Sequence, residues 1–341
     1  MEFRRMGDTG VSVSRLCLGT MTFGKETDEA GAHRQLDMFV EAGGNFIDTA
    51  DVYNAGESER IIGRWLAQRP GGAEDVVIAT KGRFPTGTHP NALGLSRKHL
   101  TRALDDSLER LGVDQIDLYQ VHAFDALTPL EETLRFFDDA VSAGKIGYFG
   151  LSNFIGWQIA SLSEKAIASG RVRPVVLQPQ YNLLARHIEL EVVPACLNYG
   201  IGMIPWSPLG GGWLTGKYQR DQVPSGASRL GEDPQRGMEN YQQRNSDEQV
   251  WRILDEVRAV AEEAGLTMAQ VALAWVADRP AVTAPILGNR TTDQLSEALA
   301  VADLHLDEAS RERLDVVSAP QVAQYPYGER GRKQRARSLA D

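Results

Sequence analysis

Cysteine is nearly missing from this chain: Cys17 and Cys196 are the only two in 341 residues. Two thiols so far apart form neither a metal-binding nor a disulfide pattern, and the pattern reads as a reduced cytoplasmic protein. No uninterrupted apolar run approaches the roughly 20 residues a membrane helix needs, so no membrane span is expected. The opening MEFRRMGDTG carries charge but lacks the apolar stretch of a secretion signal. Positive charge is also in deficit, with a formal net charge of −10. Nucleic acid, whose phosphates this balance repels, is not an expected partner, although net charge says nothing about fold. The six histidines, His33, His89, His99, His122, His187 and His305, show no HxxxH spacing, so no metal is expected. GxSxG is missing, which removes the main support for a hydrolase. GxGxxG is missing as well, which removes the usual doubly wound dinucleotide fold.

What the chain does have is a strand-then-helix rhythm. Short apolar runs lie at 15–19, 45–48, 75–81, 115–122, 145–152, 175–178, 202–207 and 281–287. Helical patterns alternate with them at 28–42, 58–68, 96–111, 129–143, 155–169, 187–199, 247–264 and 292–302, with an extra helix at 267–277. Thr27 or Asp28 opens the first helix and Gly43-Gly44 closes it. Ser96 caps the third, whose Leu100, Leu104, Leu108 and Leu111 recur at helical spacing. Strands this short and apolar are covered on both faces. Eight alternations fit one closed (β/α)8 TIM barrel, and barrels of this length run as a single α/β domain, here 1–341. The first ten to thirteen residues, with turns at Gly7 and Gly10, are expected to form a hairpin plugging the barrel's amino-terminal mouth. A segment rich in Gly, Pro and Arg, 209–245, interrupts the rhythm after the seventh strand. Loops of that length are either functional flaps or disordered, and its origin at the carboxyl end of a strand favours a flap. The basic tail 328–341 is expected to be a solvated, unstructured end.

Four residues sit at or just past the ends of these runs: Asp48, Tyr53, Lys81 and His122. In a parallel barrel such positions converge on one face, where barrel enzymes keep their chemistry. Each alone has a bland reading, whether N-cap, packed ring, solvated strand end or core histidine. Together they suit carbonyl reduction, which needs a proton on oxygen. A free tyrosine, with a pKa of about 10, is a sluggish acid. A neighbouring ammonium, Lys81, is expected to lower that pKa, with Asp48 holding the lysine charged and His122 orienting the substrate oxygen.

The flanking words DTADVY, ATKG and LYQVH, with LSNF and SPLGGGWLTGKY further on, resemble the aldo-keto reductase family. The likeness runs from about residue 3 to 314. CLGTMTFG and GESE are similar to a bacterial-type subgroup that also includes potassium-channel β-subunits. The resemblance implies an NADP(H)-dependent oxidoreductase acting on an aldehyde, ketone or sugar carbonyl, with the dinucleotide laid across the barrel mouth. It implies that Ser152, Asn153 and Gln178 hold the carboxamide and that Trp206 stacks on the nicotinamide. Ser207, Leu209, Gly210 and Lys217 would hold the pyrophosphate side, with Thr20 and Met21 near it. In ILGNRTTDQLSEAL, Gly288, Arg290, Gln294 and Glu297 would surround the adenosine. There a guanidinium suits a 2′-phosphate, with Thr291 or Thr292 opening a helix whose N–H groups favour it. The family usually has asparagine after the Glu297 position; this chain has Ala298. Phe23, Phe84, Phe124 and Trp213, with Met21 and Tyr53, are expected to line the substrate pocket. Subgroup members range from monomers to rings, so oligomeric state stays open. The alternative is a regulatory NADP(H)-binding module of the channel-subunit type that reports redox state to a partner.

Overall fold

Alternation along the strands builds this molecule from the inside out. A computed structural model describes residues 1–69, 71–226, 229–235 and 239–336. Strands β1 (Phe3–Arg5) and β2 (Ser12–Ser14) form an antiparallel hairpin. Eight parallel strands follow: β3 (Cys17–Gly19), β4 (Phe46–Asp48), β5 (Val77–Gly82), β6 (Ile116–Val121), β7 (Ile146–Ser152), β8 (Val176–Gln178), β9 (Gly202–Met203) and β10 (Ile286–Gly288). Their order is β10-β3-β4-β5-β6-β7-β8-β9. The sheet curls until its ends meet: Met203 bridges Val282, and the Ile286 N–H donates to the Pro205 carbonyl at 2.9 Å. The result is a (β/α)8 barrel with an N-terminal hairpin.

One apolar cluster fills the inside of the barrel, including Cys17, Phe46, Val77, Ala79, Leu118 and Val176. Met6 and Val13 of the hairpin join it, so the hairpin closes the amino-terminal mouth as the turn glycines suggest. Neighbouring positions, such as Ile47, Ile78, Tyr119 and Leu151, point outward into a second cluster shared with the helices. That division is the period-2 alternation of strand side chains.

The outer layer contains α1 (Glu29–Glu41), α2 (Glu57–Gln68), α3 (Arg97–Leu111), α4 (Leu130–Ser142), α5 (Gly156–Ala168) and α6 (Val192–Tyr199). It continues with α7 (Arg229–Glu232), α8 (Tyr241–Asn245), α9 (Glu248–Ala264), α10 (Met268–Ala277), α11 (Thr292–Leu299), α12 (Glu308–Val317) and α13 (Glu329–Arg335). Asp28 and Ser96 cap α1 and α3, accepting from the N–H groups of Gly31 and His99. The expected helix 187–199 divides instead into a 3-10 turn and α6, because Pro194 lacks an N–H and fits only the first helical turn. The eighth strand begins at Ile286 rather than at 281, since Pro285 cannot donate to a ladder. Helix α12, capped by Asp307, was not foreseen. The tail that the sequence presents as unstructured holds α13, and 337–341 lie outside the described residues. Among the described residues no helix is long and apolar enough to cross a membrane.

Candidate active site

Along the inner face each apolar position is followed by a polar one at the carboxyl end: Phe46 by Asp48, Ala79 by Lys81, Leu118 by Gln120, Val176 by Gln178. The strands therefore carry a dry floor and a polar ceiling. In that ceiling Lys81 Nζ lies 2.7 Å from Asp48 Oδ2, 2.7 Å from the Thr49 carbonyl and 3.2 Å from the Tyr53 hydroxyl. All three ammonium protons are thereby used. Asp48 Oδ1 accepts from Gln120 Nε2 at 3.0 Å and from Gln178 Nε2 at 2.8 Å. The Lys81 and Asp48 side chains are 0% and 2% exposed. A buried ion pair is tolerable only when its remaining donors and acceptors are met, as they are here. Gln120 was not singled out in sequence; its place between Leu118 and His122 on the inward register was the available signal.

Burial alone would drive Lys81 toward neutrality, but the Asp48 charge overrules it and holds the ammonium above the ordinary lysine range. For Tyr53 the balance falls the other way. Burial raises its pKa and the Lys81 charge only partly offsets this, so the phenol stays protonated more firmly than free tyrosine. This corrects the expectation of a phenol acidified at rest. The protonated form is the one that can give up a proton, and Lys81 stands where the resulting phenolate would need a cation. His122 follows β6, its N–H donating to the Gly82 carbonyl at 3.1 Å. Burial, then the Lys81 and Arg83 charges, hold its pKa well below the usual value. The ring is neutral at neutral pH and offers one N–H. Its Nδ1 is buried and meets no partner among the described residues.

A cleft of about 650 Å³ opens over Asp48, Tyr53 and His122 and crosses the barrel mouth to Arg290. Thr20, Met21, Ser152, Asn153, Gln178, Trp206, Ser207, Leu209, Lys217, Gly288, Arg290, Gln294 and Glu297 all line it. Gly210 does not; it is buried, and Gly211 and Gly212 face the cleft instead. Both have left-handed backbones, φ 67° and 93°, which favour glycine. A side chain at Gly212 would meet the Lys217 ammonium at 2.6 Å. Asn153 accepts from Trp206 Nε1 at 3.0 Å and donates to the His122 carbonyl at 3.0 Å, so the half-buried indole is tied to the polar ceiling.

The four expected pocket aromatics are not in this cleft. Phe23 is fully buried in the outer core, and its carbonyl accepts from Asn54 Nδ2, pinning the turn that carries Tyr53. Trp213 is fully buried as well, stacked on Tyr241 at 5.6 Å and edge-on to Tyr218 and Trp251. Its Nε1 donates to the carbonyl of Glu239 at 3.1 Å. This satisfied indole anchors the segment after β9, which is packed where it is described, with 227–228 and 236–238 outside the described residues. Glu239, fully buried and accepting from Gln180 at 2.8 Å, ties this segment to the chain just after β8, which the sequence did not advertise. Phe84 and Phe124 are half-buried outside the cleft, Phe84 4.6 Å edge-on to the His122 ring and Phe124 against Phe154 and Trp157.

With this geometry in place, the Aldo/keto reductase family model matches residues 15–319. The chain belongs to the aldo/keto reductase family. An uncharacterised oxidoreductase of Bacillus subtilis is 39% identical, covering 90% of this chain and 93% of its own length. A probable voltage-gated potassium channel subunit beta of Arabidopsis thaliana is 37% identical, covering 89% and 92%. The versiconal hemiacetal acetate reductase of Aspergillus parasiticus is 34% identical, covering 94% and 98%. Membership of this family, with such relatives, supports an oxidoreductase that uses a nicotinamide coenzyme on a small molecule.

Proposed function

We propose that this family member is an NADP(H)-dependent reductase converting an aldehyde or ketone to an alcohol, reversibly, with Tyr53 as proton donor. The observation that carries the reading is the Tyr53 hydroxyl 3.2 Å from an ammonium itself locked 2.7 Å from Asp48, at the edge of a long cleft. When bound, the reduced nicotinamide supplies a hydride to the carbonyl carbon. The rest falls to the chain. Tyr53 gives its proton to the carbonyl oxygen, and Lys81 stabilises the phenolate that remains. Neutral His122 donates one hydrogen bond to that oxygen and orients it. Asp48 keeps Lys81 charged, while Gln120 and Gln178 keep Asp48 in place.

The far end of the cleft suits a coenzyme with more than one phosphate. Partial desolvation, with the like charges of Arg290 and Arg229, holds the surface-exposed Lys217 below the ordinary lysine range. Cations that repel one another around one opening make a site for an anion. Trp206 provides a flat ring for the nicotinamide, and Ser152, Asn153 and Gln178 polar contacts beside it. Arg290 provides the fork suited to a 2′-phosphate and is the basis for NADP(H). Two buried free thiols, Cys17 and Cys196, accord with a reducing, cytoplasmic setting.

The test is Tyr53→Phe, assayed for NADPH binding by tryptophan quenching and for turnover on a panel of aldehydes, ketones and sugars. Binding should change by no more than about twofold while turnover falls on the order of 10³-fold, within the usual span of general-acid effects. Retained turnover would remove Tyr53 as proton donor. Tight NADPH binding with no turnover by the parent protein on any carbonyl would favour the redox-sensing alternative.

A further inference from the structure

The guanidinium assigned to the coenzyme's 2′-phosphate is already engaged. Arg290 Nη1 donates to one carboxylate oxygen of Glu232 at 2.7 Å, and Nη2 to the other at 3.1 Å. Glu26 adds a second carboxylate 3.6 Å from Nη2. Glu232 ends α7, in the segment after β9, while Glu26 precedes α1 and lines the same cleft. Two chain regions thus send acids to one arginine. The fork-to-fork arrangement uses the same pair of parallel N–H groups that a phosphate would use. A carboxylate brings one negative charge to that fork, and a phosphate monoester about 1.5 to 2 at neutral pH. They compete for one donor set.

We propose that Glu232 is a coenzyme-selecting residue that lowers this protein's preference for NADP(H) over NAD(H) by occupying the 2′-phosphate's donors on Arg290. The inference rests on the NADP(H) reading above. NADPH has to displace Glu232, whereas NADH, with a hydroxyl at that carbon, leaves the pair intact. The Arg290 and Glu232 side chains are 19% and 43% exposed. Solvent screens a pair at that depth, so a more highly charged phosphate drawn also toward Lys217 and Arg229 can replace it. The arginine marks the chain as an NADP(H) protein, and the glutamate sets by how much.

The experiment measures dissociation constants of NADPH, NADH, 2′-AMP and 5′-AMP by calorimetry on the full chain, without substrate. Glu232→Gln keeps the side chain's size and removes its charge. NADPH and 2′-AMP should bind about three- to fivefold more tightly, the scale of an exposed ion pair, with NADH and 5′-AMP within about twofold of the parent. Glu26→Gln should shift NADPH the same way but less, given its longer contact. In an Arg290→Ala background the gain from Glu232→Gln should vanish. Unchanged or weaker NADPH binding, an equal gain for NADH, or a gain persisting without Arg290 would each overturn the proposal. Arg290→Ala alone tests the reading beneath it. Equal loss of NADPH and NADH there removes the NADP(H) assignment itself, whereas selective loss of NADPH with no gain in Glu232→Gln removes only the role of Glu232.

Discussion

Lys81 and Arg290 are both cations paired with carboxylates, one buried beneath the cleft and one lining it, yet their surroundings make them opposites. Lys81 is fully buried, and its three protons go to Asp48, the Thr49 carbonyl and Tyr53. Its partner is fixed in turn by two glutamine amides. No rearrangement is open to it that does not strand a charge in a dry site, where each stranded ion costs several kcal/mol. Arg290 lies nearer the surface, and its partner Glu232 sits on a four-residue helix in a long connection. Exchanging one anion for another there strands nothing. The first arrangement suits a group that must keep one position through a reaction, and the second suits a contact made and broken in every binding cycle.

Lys81→Met should have the most damaging effect on function. It should abolish turnover and lower unfolding stability by about 3 kcal/mol, at the lower end for a broken buried pair because Gln120 and Gln178 still partner Asp48. Urea denaturation and steady-state assays would check it, and stability equal to the parent would show that the pair is not locked. Trp213→Ala strikes the other end. Removing a fully buried indole usually costs about 3 kcal/mol or more. Here the loss should fall on the segment after β9, weakening NADPH binding while leaving barrel amides protected in hydrogen exchange. Uniform loss of protection would mean the segment is part of the barrel's own stability.

The effect that varies with pH concerns Asp51, two residues before Tyr53. Burial first, reinforced by Glu59 and opposed by Arg110, pushes its carboxyl up to about 8. Unfolded, it would release its proton near the usual value of about 3.9. Between those values the native state holds the extra proton, so this group's contribution to stability is full at low pH and falls as pH rises toward 8. Asp51→Asn should therefore gain on the parent from pH 5 to about pH 8 in urea titrations and level off above it. A difference that does not vary with pH would mean Asp51 is ionised in the fold.

Much of the comparison was legible in advance on one side only. Asp48, Lys81 and His122 are readable because each follows a short apolar run, and strand periodicity decides the face from local order alone. Tyr53 and its spacing from Asp48 belong to the same short stretch. Gln120 and Glu239 were not readable. Gln120 meets Asp48 across 72 positions, and Trp213 reaches Glu239 only because the segment after β9 folds into its own aromatic core. The aromatic residues misled for a related reason. Large apolar side chains after strands suit either a pocket or a core, and composition does not distinguish them. Phe23 and Trp213 went to the core because their rings could be wholly buried there, the indole N–H of Trp213 on a carbonyl.

By itself the chain's order of residues determined the strand-helix alternation, the barrel and which side chains reach its carboxyl-terminal rim, because those follow from periodicity and from turns that are local. Tertiary structure alone decided the electrical state of the rim: a lysine kept charged, a tyrosine kept protonated, and an arginine already holding an acid. Those states depend on burial and on neighbours brought from distant parts of the chain, and a charge's energy is set by what surrounds it in space.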